Sequence, residues 1–468
     1  MTARQLTRDE LRHVAAGRPP ATGHATTVTV IDPARAAGAI DRSRLAREIE
    51  PCLAGLPALR RVVVEVPLRL DRPWWADDPD FDLDHHVGRA TVPAPGGDRA
   101  LAEVVATLHA RPLDPRRPLW EAYLIEGLAS GRVAILTKVH LAALADAEGA
   151  DLLAALVTET PVRRPASGPA WRPAPGPGAA TMACRAWANA LRDPARTLTS
   201  APRRLRELPV ARGLVNPALA VVTQRAARRP IAAAGPDAPA PRAPFNRRIG
   251  PGRRWAPASV DLDRVRAARR VHGVRVLDVV LAMVAGALRW WLLRHGRLPA
   301  APLRALVPMA VRGAAAPGGV DAVVIGLATD RSAPADRLRA ISAEVGAAAL
   351  GHGALPAAEL GAGAGWPSLA ATGTRLLLAS PLIDRVAPVF NTAVTVVPGP
   401  AGPRFALGAP VEAVHPVPAV VDGIGLHIGA VSVADRMHFG LTADRELVPD
   451  LEALAGRLTA ELEELESR

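Results

Sequence analysis

The stretch ILTKVHLAALADAEGADLL, Ile135 to Leu153, changes its residue pattern at a histidine. The residues up to His140 are largely apolar, as in a buried strand, and those after it are rich in alanine and leucine, as in a helix. Upstream, WEAYLIEGL and RVAILTKVH are two apolar runs separated by the turn ASG. They predict a hairpin or an adjacent pair of strands that leads into His140.

Strands and helices also alternate towards the N-terminus. TTVTVI and RRVVVEVPLRLD are typical of strands, and DRSRLAREIEPCLAGLPALR and DRALAEVVATLHARPLD have the apolar spacing of helices. This alternation predicts an α/β or α+β layer structure over residues 1–165.

A connection rich in proline follows this first domain. PVRRPASGPAWRPAPGPG begins it and AAAGPDAPAPRAP closes it near residue 244, which predicts a linker over residues 166–244. The linker contains helical patterns, and arginines are concentrated between Arg203 and Arg229. Two interpretations stay open, a solvated helical connection or a basic amphipathic surface for anionic lipid.

The second half, residues 245–468, again alternates patterns typical of strands and helices. ASVDLDRVRAARRVHGVRVLDVVLAMVAGALRWWLLRHG predicts a strand, a helix that ends at Gly273, and a long buried helix. LRALVPMAVRG, AVVIGLATD, NTAVTVVPG and AVSVADRMHFGLTAD predict strands, and the chain closes with a helix. Two domains of ordinary size are therefore expected, in agreement with a length of 468 residues.

Composition and charge limit the possible functions. The net charge of +12 permits an anionic partner. Outside the stretch Arg203 to Arg229 the arginines are dispersed, and aromatic residues are 3% of the chain, which argues against nucleic acid binding. Two cysteines without metal-ligand spacing predict neither a disulfide framework nor a metal site. The charged N-terminus is unlike a signal peptide, and the longest strongly apolar run is too short to span a bilayer. We expect a cytoplasmic protein, soluble or peripheral at the inner membrane face.

Several segments together resemble the bacterial wax ester synthase/diacylglycerol acyltransferase family, relatives of chloramphenicol acetyltransferase and the condensation domains. The segments are RQLTRDE, FDLDHHV, RPLDPRRPLWEAYLIEGL, FNRRIGPGRRWA, VLDVVLAMVAGALRWWL, LVPMAVR, VVPGP and FGLTADRELVPDLEAL, in this order. The resemblance implies two chloramphenicol-acetyltransferase-like domains, each a mixed sheet with flanking helices, joined by the linker. It places an active-site channel between them.

The family's HHxxxDG motif is altered in this chain. Its second histidine is the general base that takes the proton from an acceptor hydroxyl during attack on the acyl-CoA thioester. Aligned without gaps between TKV and GADLL, His140 occupies the first histidine, Leu141 the catalytic one, Ala145 the aspartate and Asp146 the glycine. A shifted register with a two-residue insertion would instead put His140 on the catalytic position and Asp146 on the aspartate.

Two roles for His140 stay open. Neighbouring side chains on a strand point to opposite faces, so His140 can stand in for position 141 only if the strand ends early. His140 is then either a structural, hydrogen-bonded histidine or a surviving base. The pair His85-His86 has no Asp-Gly at the family's distance, and a structural or rim placement is expected for it.

In the second half, too, some residues typical of the family are replaced and others are retained. The family's Asn-Asp pair appears as Leu277-Asp278, and the asparagine before its Val-Pro-Gly-Pro appears as Val396. The retained positions are Pro308, Arg312, Pro398 and Gly399. His427, with Asp422 nearby, is expected to be a satisfied strand histidine, the alternative being a compensating base.

The resemblance supports two functional hypotheses. The first is an acyl-CoA-dependent O-acyltransferase that makes triacylglycerol or wax esters from diacylglycerol or a long-chain alcohol, with acyl-CoA as substrate and no permanent cofactor. The second is a non-catalytic relative that binds acyl chains, the membrane surface or an active partner. The apolar residues at Leu141, Ala145, Leu277 and Val396 favour the second hypothesis.

Overall fold

The computed structural model describes most of both predicted domains. It covers residues 3–7, 10–11, 14, 22–67, 71–144, 152–162, 171–192, 240–310, 320–350, 354–355 and 388–467. Its strands are β1 (Arg4–Gln5), β2 (His24–Ile31), β3 (Arg61–Val64), β4 (Trp74–Asp77), β5 (Val87–Thr91), β6 (Trp120–Glu126), β7 (Val133–His140), β8 (Arg253–Asp261), β9 (Arg304–Ala310), β10 (Val320–Gly326), β11 (Ala354–Leu355), β12 (Thr392–Val397), β13 (Phe405–Ala406), β14 (Ala409–Val417), β15 (Leu426–Val433) and β16 (Arg436–Asp444). Its α-helices are α1 (Arg42–Cys52), α2 (Asp98–Ala110), α3 (Leu141–Leu144), α4 (Leu152–Leu156), α5 (Ala179–Arg192), α6 (Leu262–His272), α7 (Val276–Arg294), α8 (Pro334–Ala349) and α9 (Leu451–Glu466).

The first half is organised around a six-stranded mixed sheet in the order β13-β14-β2-β7-β6-β5. Strand β2 contains the alternating TTVTVI and pairs antiparallel with β7, from His24 opposite His140 to Ile31 opposite Val133. Strand β5 lies parallel to β6. Every residue of β7 is buried, because helices and the second half cover both faces of the sheet.

Two strands of this sheet come from the second half of the chain. Strand β14 pairs antiparallel with β2, with Val417 opposite Thr26, and β13 pairs with β14. A boundary at residue 244 therefore does not assign all strands of the first sheet to the first domain. The boundaries 1–165, 166–244 and 245–468 stay a prediction, and the basic stretch from Arg203 to Arg229 lies outside the described residues.

The second half forms a seven-stranded sheet in the order β11-β10-β9-β12-β15-β16-β8. It is also mixed, because β12 runs parallel to both β9 and β15 while the other neighbours are antiparallel. Helices α6, α7, α8 and α9 contribute to its hydrophobic core. The two mixed sheets with flanking helices confirm the predicted fold class.

Helix α7 is the predicted long buried helix. Among the described helices it is the one long and apolar enough to cross a membrane, and most of its apolar stretch is buried inside the protein. A helix that is apolar on all sides is expected at the centre of a large core. Its burial against α8 and α9 accounts for its composition.

The two halves meet along α2 and strand β8. The Trp255 side chain of β8 packs with Val28 and Val417 of the first sheet, and its Nε1–H donates to the Pro416 carbonyl at 3.1 Å. Glu103 of α2 forms ion pairs with two arginines of the second half, Arg254 and Arg445. Helix α2 is thus held between the sheets, on one side of β7.

Candidate active site

Strand β7 ends at His140, where the alanine-rich helical pattern begins. The His140 N–H donates to the Leu119 carbonyl, and the Leu141 N–H donates to the Gly23 carbonyl, both at 2.9 Å. Helix α3 starts at Leu141 itself. The early end that a catalytic role for His140 requires is therefore present.

The His140 side chain is held by the helix that follows it. The backbone N–H of Ala142 donates to His140 Nδ1 at 3.1 Å, and His140 is 6% exposed. A ring nitrogen that accepts a hydrogen bond carries no proton, so the neutral ring has its proton on Nε2. In this state Nε2 can donate a hydrogen bond but cannot take a proton from a hydroxyl. The geometry favours the structural role.

Leu141, which the ungapped alignment predicts at the family's base position, is a half-buried apolar side chain on the first turn of α3. It offers no atom that could accept a proton. Ala145 and Asp146, the other two positions predicted to be altered in the motif, lie outside the described residues.

A second histidine lies directly across the sheet from His140. His24 is fully buried on β2, and its Nε2 lies 2.8 Å from the His109 carbonyl. A carbonyl only accepts, so Nε2 donates and Nδ1 carries the free lone pair. Among the described residues, His24 Nδ1 has no hydrogen-bond partner. Burial lowers the pKa of His24 well below its ordinary value, which keeps the ring neutral.

His109, at the end of α2, contacts the same cluster. Its Nδ1 lies 2.9 Å from Thr26 Oγ1, and its ring meets that of His24 edge to face at a centroid distance of 4.9 Å. Burial, helped by the charge of Lys138, lowers the pKa of His109 to about 3. Both imidazoles are therefore neutral at physiological pH.

Lys138, the one lysine of the chain, fixes α2 to the sheet beneath these histidines. Its ammonium donates to the carbonyls of Leu108 and Arg111, at 3.2 and 2.6 Å, and lies 3.0 Å from Glu121 Oε2. All three donors are used, and burial lowers the pKa of Lys138 although Glu121 opposes the shift. Lys138 is thus a structural cation that caps the C-terminal carbonyls of α2.

In the second half, the retained Asp278 caps helix α7. Its Oδ2 accepts from the Arg275 backbone N–H at 3.0 Å and from Ser342 Oγ at 2.9 Å, and the residue is almost fully buried. Leu277 is partly buried and packs against the hydrophobic core of that half. The pair therefore combines a helix cap with a packing residue.

The retained Gly399 is required by the backbone. A Cβ atom at this position would overlap the Ser432 carbonyl oxygen, and the Gly399 N–H donates to Ser432 Oγ at 3.1 Å. Val396 packs against the core, and Pro308 lies in β9 opposite Ala322. Pro398 follows β12 immediately. The retained Arg312 lies outside the described residues.

His427 has both ring nitrogens engaged. Its Nδ1 lies 3.0 Å from the Ala419 carbonyl and its Nε2 lies 3.0 Å from Thr395 Oγ1, while burial lowers its pKa to about 4. Asp422 accepts from the Ile249 backbone N–H at 2.9 Å. These contacts are those of a satisfied strand histidine.

In the pair His85-His86, His86 is a structural residue and His85 is exposed. His86 is stacked between Phe81 and Trp120, and its Nδ1 lies 2.8 Å from the Trp120 carbonyl. His85 is exposed and lies 3.6 Å from Asp82. Within the described ranges, His, Cys, Asp and Glu side chains form no group that could hold a metal ion.

Sequence reasoning missed His24 and His109. They come close to His140 through the pairing of β2 with β7 and the packing of α2. Neither the strand pairing nor the helix packing can be predicted from the local pattern of residues. The single lysine in TKVH was the available signal for a buried cation beside the motif.

Two mixed sheets meeting across α2 and β8 are the fold of CoA-dependent acyltransferases and condensation domains. The first condensation domain of the CDA synthetase superposes with a TM-score of 0.51 at 16% identity, over 99% of this chain and 96% of that one. The starter condensation domain of rhizomide synthetase, solved in complex with C8-CoA, gives 0.50 at 13% identity, over 100% and 94%. At these identities the likeness describes the fold alone.

The sequence comparisons are more specific. Residues 12–280 match the wax ester synthase/diacylglycerol acyltransferase catalytic domain, and residues 319–466 match the C-terminal domain of the same proteins. Mycobacterium tuberculosis H37Rv Rv3740c, whose name describes a diacylglycerol O-acyltransferase, is 35% identical over 84% of each chain. The wax ester synthase/diacylglycerol acyltransferase from Marinobacter aquaeolei VT8 superposes with a TM-score of 0.70 at 26% identity, over 99% of both chains. The chain belongs to the wax ester synthase/diacylglycerol acyltransferase family, which confirms the resemblance found in the sequence.

Proposed function

We propose that this chain binds the acyl-CoA and alcohol substrates of its family but has lost the general base for acyl transfer. One observation carries the proposal: His140 keeps its proton on Nε2 because Nδ1 accepts from the Ala142 N–H. The alignment with the family, which predicts Leu141 at the base position, supports it. Loss of a general base typically costs about 10² to 10⁴ in rate. The fold and the substrate surfaces do not depend on that single group.

The substrate class follows from family membership. Relatives are named as diacylglycerol O-acyltransferases and as a wax ester synthase, which supports an acyl-CoA donor and a diacylglycerol or long-chain alcohol acceptor. The condensation domain solved with C8-CoA supports the view that this fold can hold an acyl thioester. No permanent cofactor is required for such a transfer.

The experiment measures binding and turnover on the same preparation. Palmitoyl-CoA binding is followed by calorimetry, and CoA thiol release is followed with 1,2-diacylglycerol or hexadecanol as acceptor. We expect binding, with thiol release far below the rate of about 1 to 10³ per second that is typical of enzymes. Release in that range that disappears in His140→Gln would overturn the proposal, because His140 would then be the base.

Residual acyl transfer is a second candidate, and the geometry of His24 favours it. The ring is oriented by the His109 carbonyl and leaves Nδ1 as a bare acceptor, the arrangement of a base held by an orienting group. Two features limit the rate it could support: its strongly lowered pKa makes it a weak proton acceptor, and its full burial keeps an acceptor alcohol from Nδ1 in this conformation. Slow thiol release that falls in His24→Gln but not in His140→Gln would select this candidate.

We also propose that the chain works in the cytoplasm, peripheral to the inner membrane face. Trp187 on α5 is 64% exposed, and the basic stretch Arg203 to Arg229 follows that helix in the sequence. Sedimentation with anionic and neutral vesicles tests this, with binding to anionic vesicles that weakens as salt is added. Equal binding to both vesicle types, or to neither, would remove the membrane part of the proposal.

A further inference from the structure

Lysine chemistry on this chain is confined to one side chain. Apart from the α-amino group, Lys138 carries the one primary amine of the sequence, and all other members of the Lys+Arg set are arginines. A guanidinium stays protonated in proteins, whereas a lysine amine loses its proton more readily and is the usual target of acylation. A reaction directed at lysine can therefore act on this chain at Lys138 alone.

The side chain of Lys138 is closed off by the last residues of helix α2. We call Leu108 to Arg111 the α2 end. The Lys138 ammonium donates to the Leu108 and Arg111 carbonyls at 3.2 and 2.6 Å and lies 3.0 Å from Glu121 Oε2. The residue is 0% exposed. An acyl donor therefore cannot reach Lys138 Nζ while the α2 end lies on β7.

Lys138 is protected by lack of access rather than by its charge. Burial lowers the pKa of Lys138, although Glu121 opposes the shift. A lowered pKa increases the share of free amine, which is the form that attacks acyl donors. Once the α2 end is lifted, nothing in the chemistry of the amine itself prevents acylation.

The contacts that hold the α2 end are few and local. His24 Nε2 donates to the His109 carbonyl at 2.8 Å, and His109 Nδ1 lies 2.9 Å from Thr26 Oγ1. Strand β7, in contrast, is paired along its length with β2 on one side and β6 on the other. Helix ends open at a lower free energy than the central strands of a sheet, so the α2 end can separate while β7 stays paired.

We propose that Lys138 is an acylation site that opens only when the α2 end separates from β7. In the reaction the free amine of Lys138 attacks the carbonyl carbon of an acyl thioester. A C–N bond forms, the C–S bond breaks, and the proton lost by the amine leaves with the thiol. This site does not depend on acyl transfer by the chain, because the thioester reacts with the lysine directly.

Acylation of Lys138 also prevents the α2 end from closing again. The product amide is neutral and has one N–H, so it cannot serve both carbonyls and Glu121 as the ammonium does. The added acyl group must also fit where the lysine is already fully buried. The modification therefore stabilises the open form of the α2 end.

The test is labelling of the full chain with sulfosuccinimidyl acetate, an activated ester that forms the same amide, followed by peptide mass spectrometry. Arg270→Lys supplies a reference lysine at an exposed position of α6. In the folded variant we expect this lysine to be labelled at least about a hundredfold faster than Lys138, and in urea the two rates should become similar. A ratio below about tenfold in the folded protein would overturn the proposal.

A matched pair of histidine variants tests whether the α2 end is the part that opens. His109→Ala removes an imidazole that contacts Thr26, and His427→Ala removes one that contacts Thr395 in the second half. We expect Lys138 labelling to become at least about tenfold faster in His109→Ala and to stay near the wild-type rate in His427→Ala. An equal increase in both variants, or no increase in His109→Ala, would overturn the local opening.

A comparison of thermal midpoints tests the effect of the modification. Wild type labelled in urea and returned to buffer carries the label at Lys138, whereas wild type labelled in the folded state and taken through the same urea step carries it at the α-amino group alone. We expect the lower midpoint for the protein labelled at Lys138. Equal midpoints would contradict the stabilised open form.

Discussion

The end of β7 and the start of α7 hold the positions where we predict the family's motifs to be altered, and a leucine stands at both. Asp278 is retained where it caps α7, and Gly399 is retained where a side chain would overlap Ser432. Leu141 and Leu277, which we predict to stand in place of polar groups of the family, are partly buried apolar side chains. The comparison leads to the prediction that residues with a structural role were retained, while polar groups that serve the reaction at Leu141 and Leu277 were lost.

The largest effect is expected at Lys138, which anchors the motif strand of the first half. Lys138→Met would leave the Leu108 and Arg111 carbonyls without their donor and Glu121 without its cation. Breaking a buried ion pair costs about 3 to 5 kcal/mol, so the free energy of unfolding in urea should fall by about that amount. Arg270→Met is the matched exposed control and should change it little. An equal loss of unfolding free energy in both variants would mean that the Lys138 contacts stabilise the fold no more than an exposed arginine does.

Acid should destabilise both halves through their buried histidines. Burial lowers the pKa values of His109 in the first half and His438 in the second to about 3, while the unfolded chain titrates near 6.5. Above pH 6.5 neither state binds these protons; below it only the unfolded state does, so stability falls with pH down to about 3. Each histidine contributes up to about 1.4 kcal/mol per pH unit. In His438→Gln the free energy of unfolding in urea should depend less steeply on pH. An unchanged slope would show that His438 is not a buried, neutral histidine in the folded protein.

A smaller effect is expected at Gly399. Gly399→Ala should lower the free energy of unfolding by about 1 to 3 kcal/mol, because the added methyl forces the backbone away from Ser432. Gly402→Ala, three residues along, has room for its methyl group and is the control. Similar thermal midpoints for the two variants would weaken the view that Gly399 was retained for the backbone.

Much of the fold could be predicted from local patterns. TTVTVI became β2, the apolar run from Val276 became the core helix α7, and the change of pattern at His140 marked the end of β7. The position of β14 could not be predicted. Its Pro410 and Pro416 argue against a strand. Pro416 lies beyond the two residues, Ala409 and Pro410, with which the outer neighbour β13 pairs, so it removes no hydrogen bond to β13.

The site was harder to predict than the fold. The sequence showed that Leu141 cannot be a base, but the role of His140 depends on which nitrogen accepts from Ala142. That contact follows from the first turn of α3, and the approach of His24 follows from strand register. Both are products of three-dimensional packing, which a single sequence does not record.

The central claim is that acyl transfer was lost with several parts of the motif while the fold and substrate binding remain. It is tested most directly by thiol release from palmitoyl-CoA, measured for the wild type, Leu141→His and the triple variant Leu141→His/Ala145→Asp/Asp146→Gly. Catalytic groups that act as a unit are strongly non-additive, so a base restored without its supports should recover little. We expect release to stay low in the wild type and the single variant and to rise clearly in the triple variant, with palmitoyl-CoA binding unchanged. Wild-type turnover at the triple variant's rate, abolished by His140→Gln, would contradict the claim.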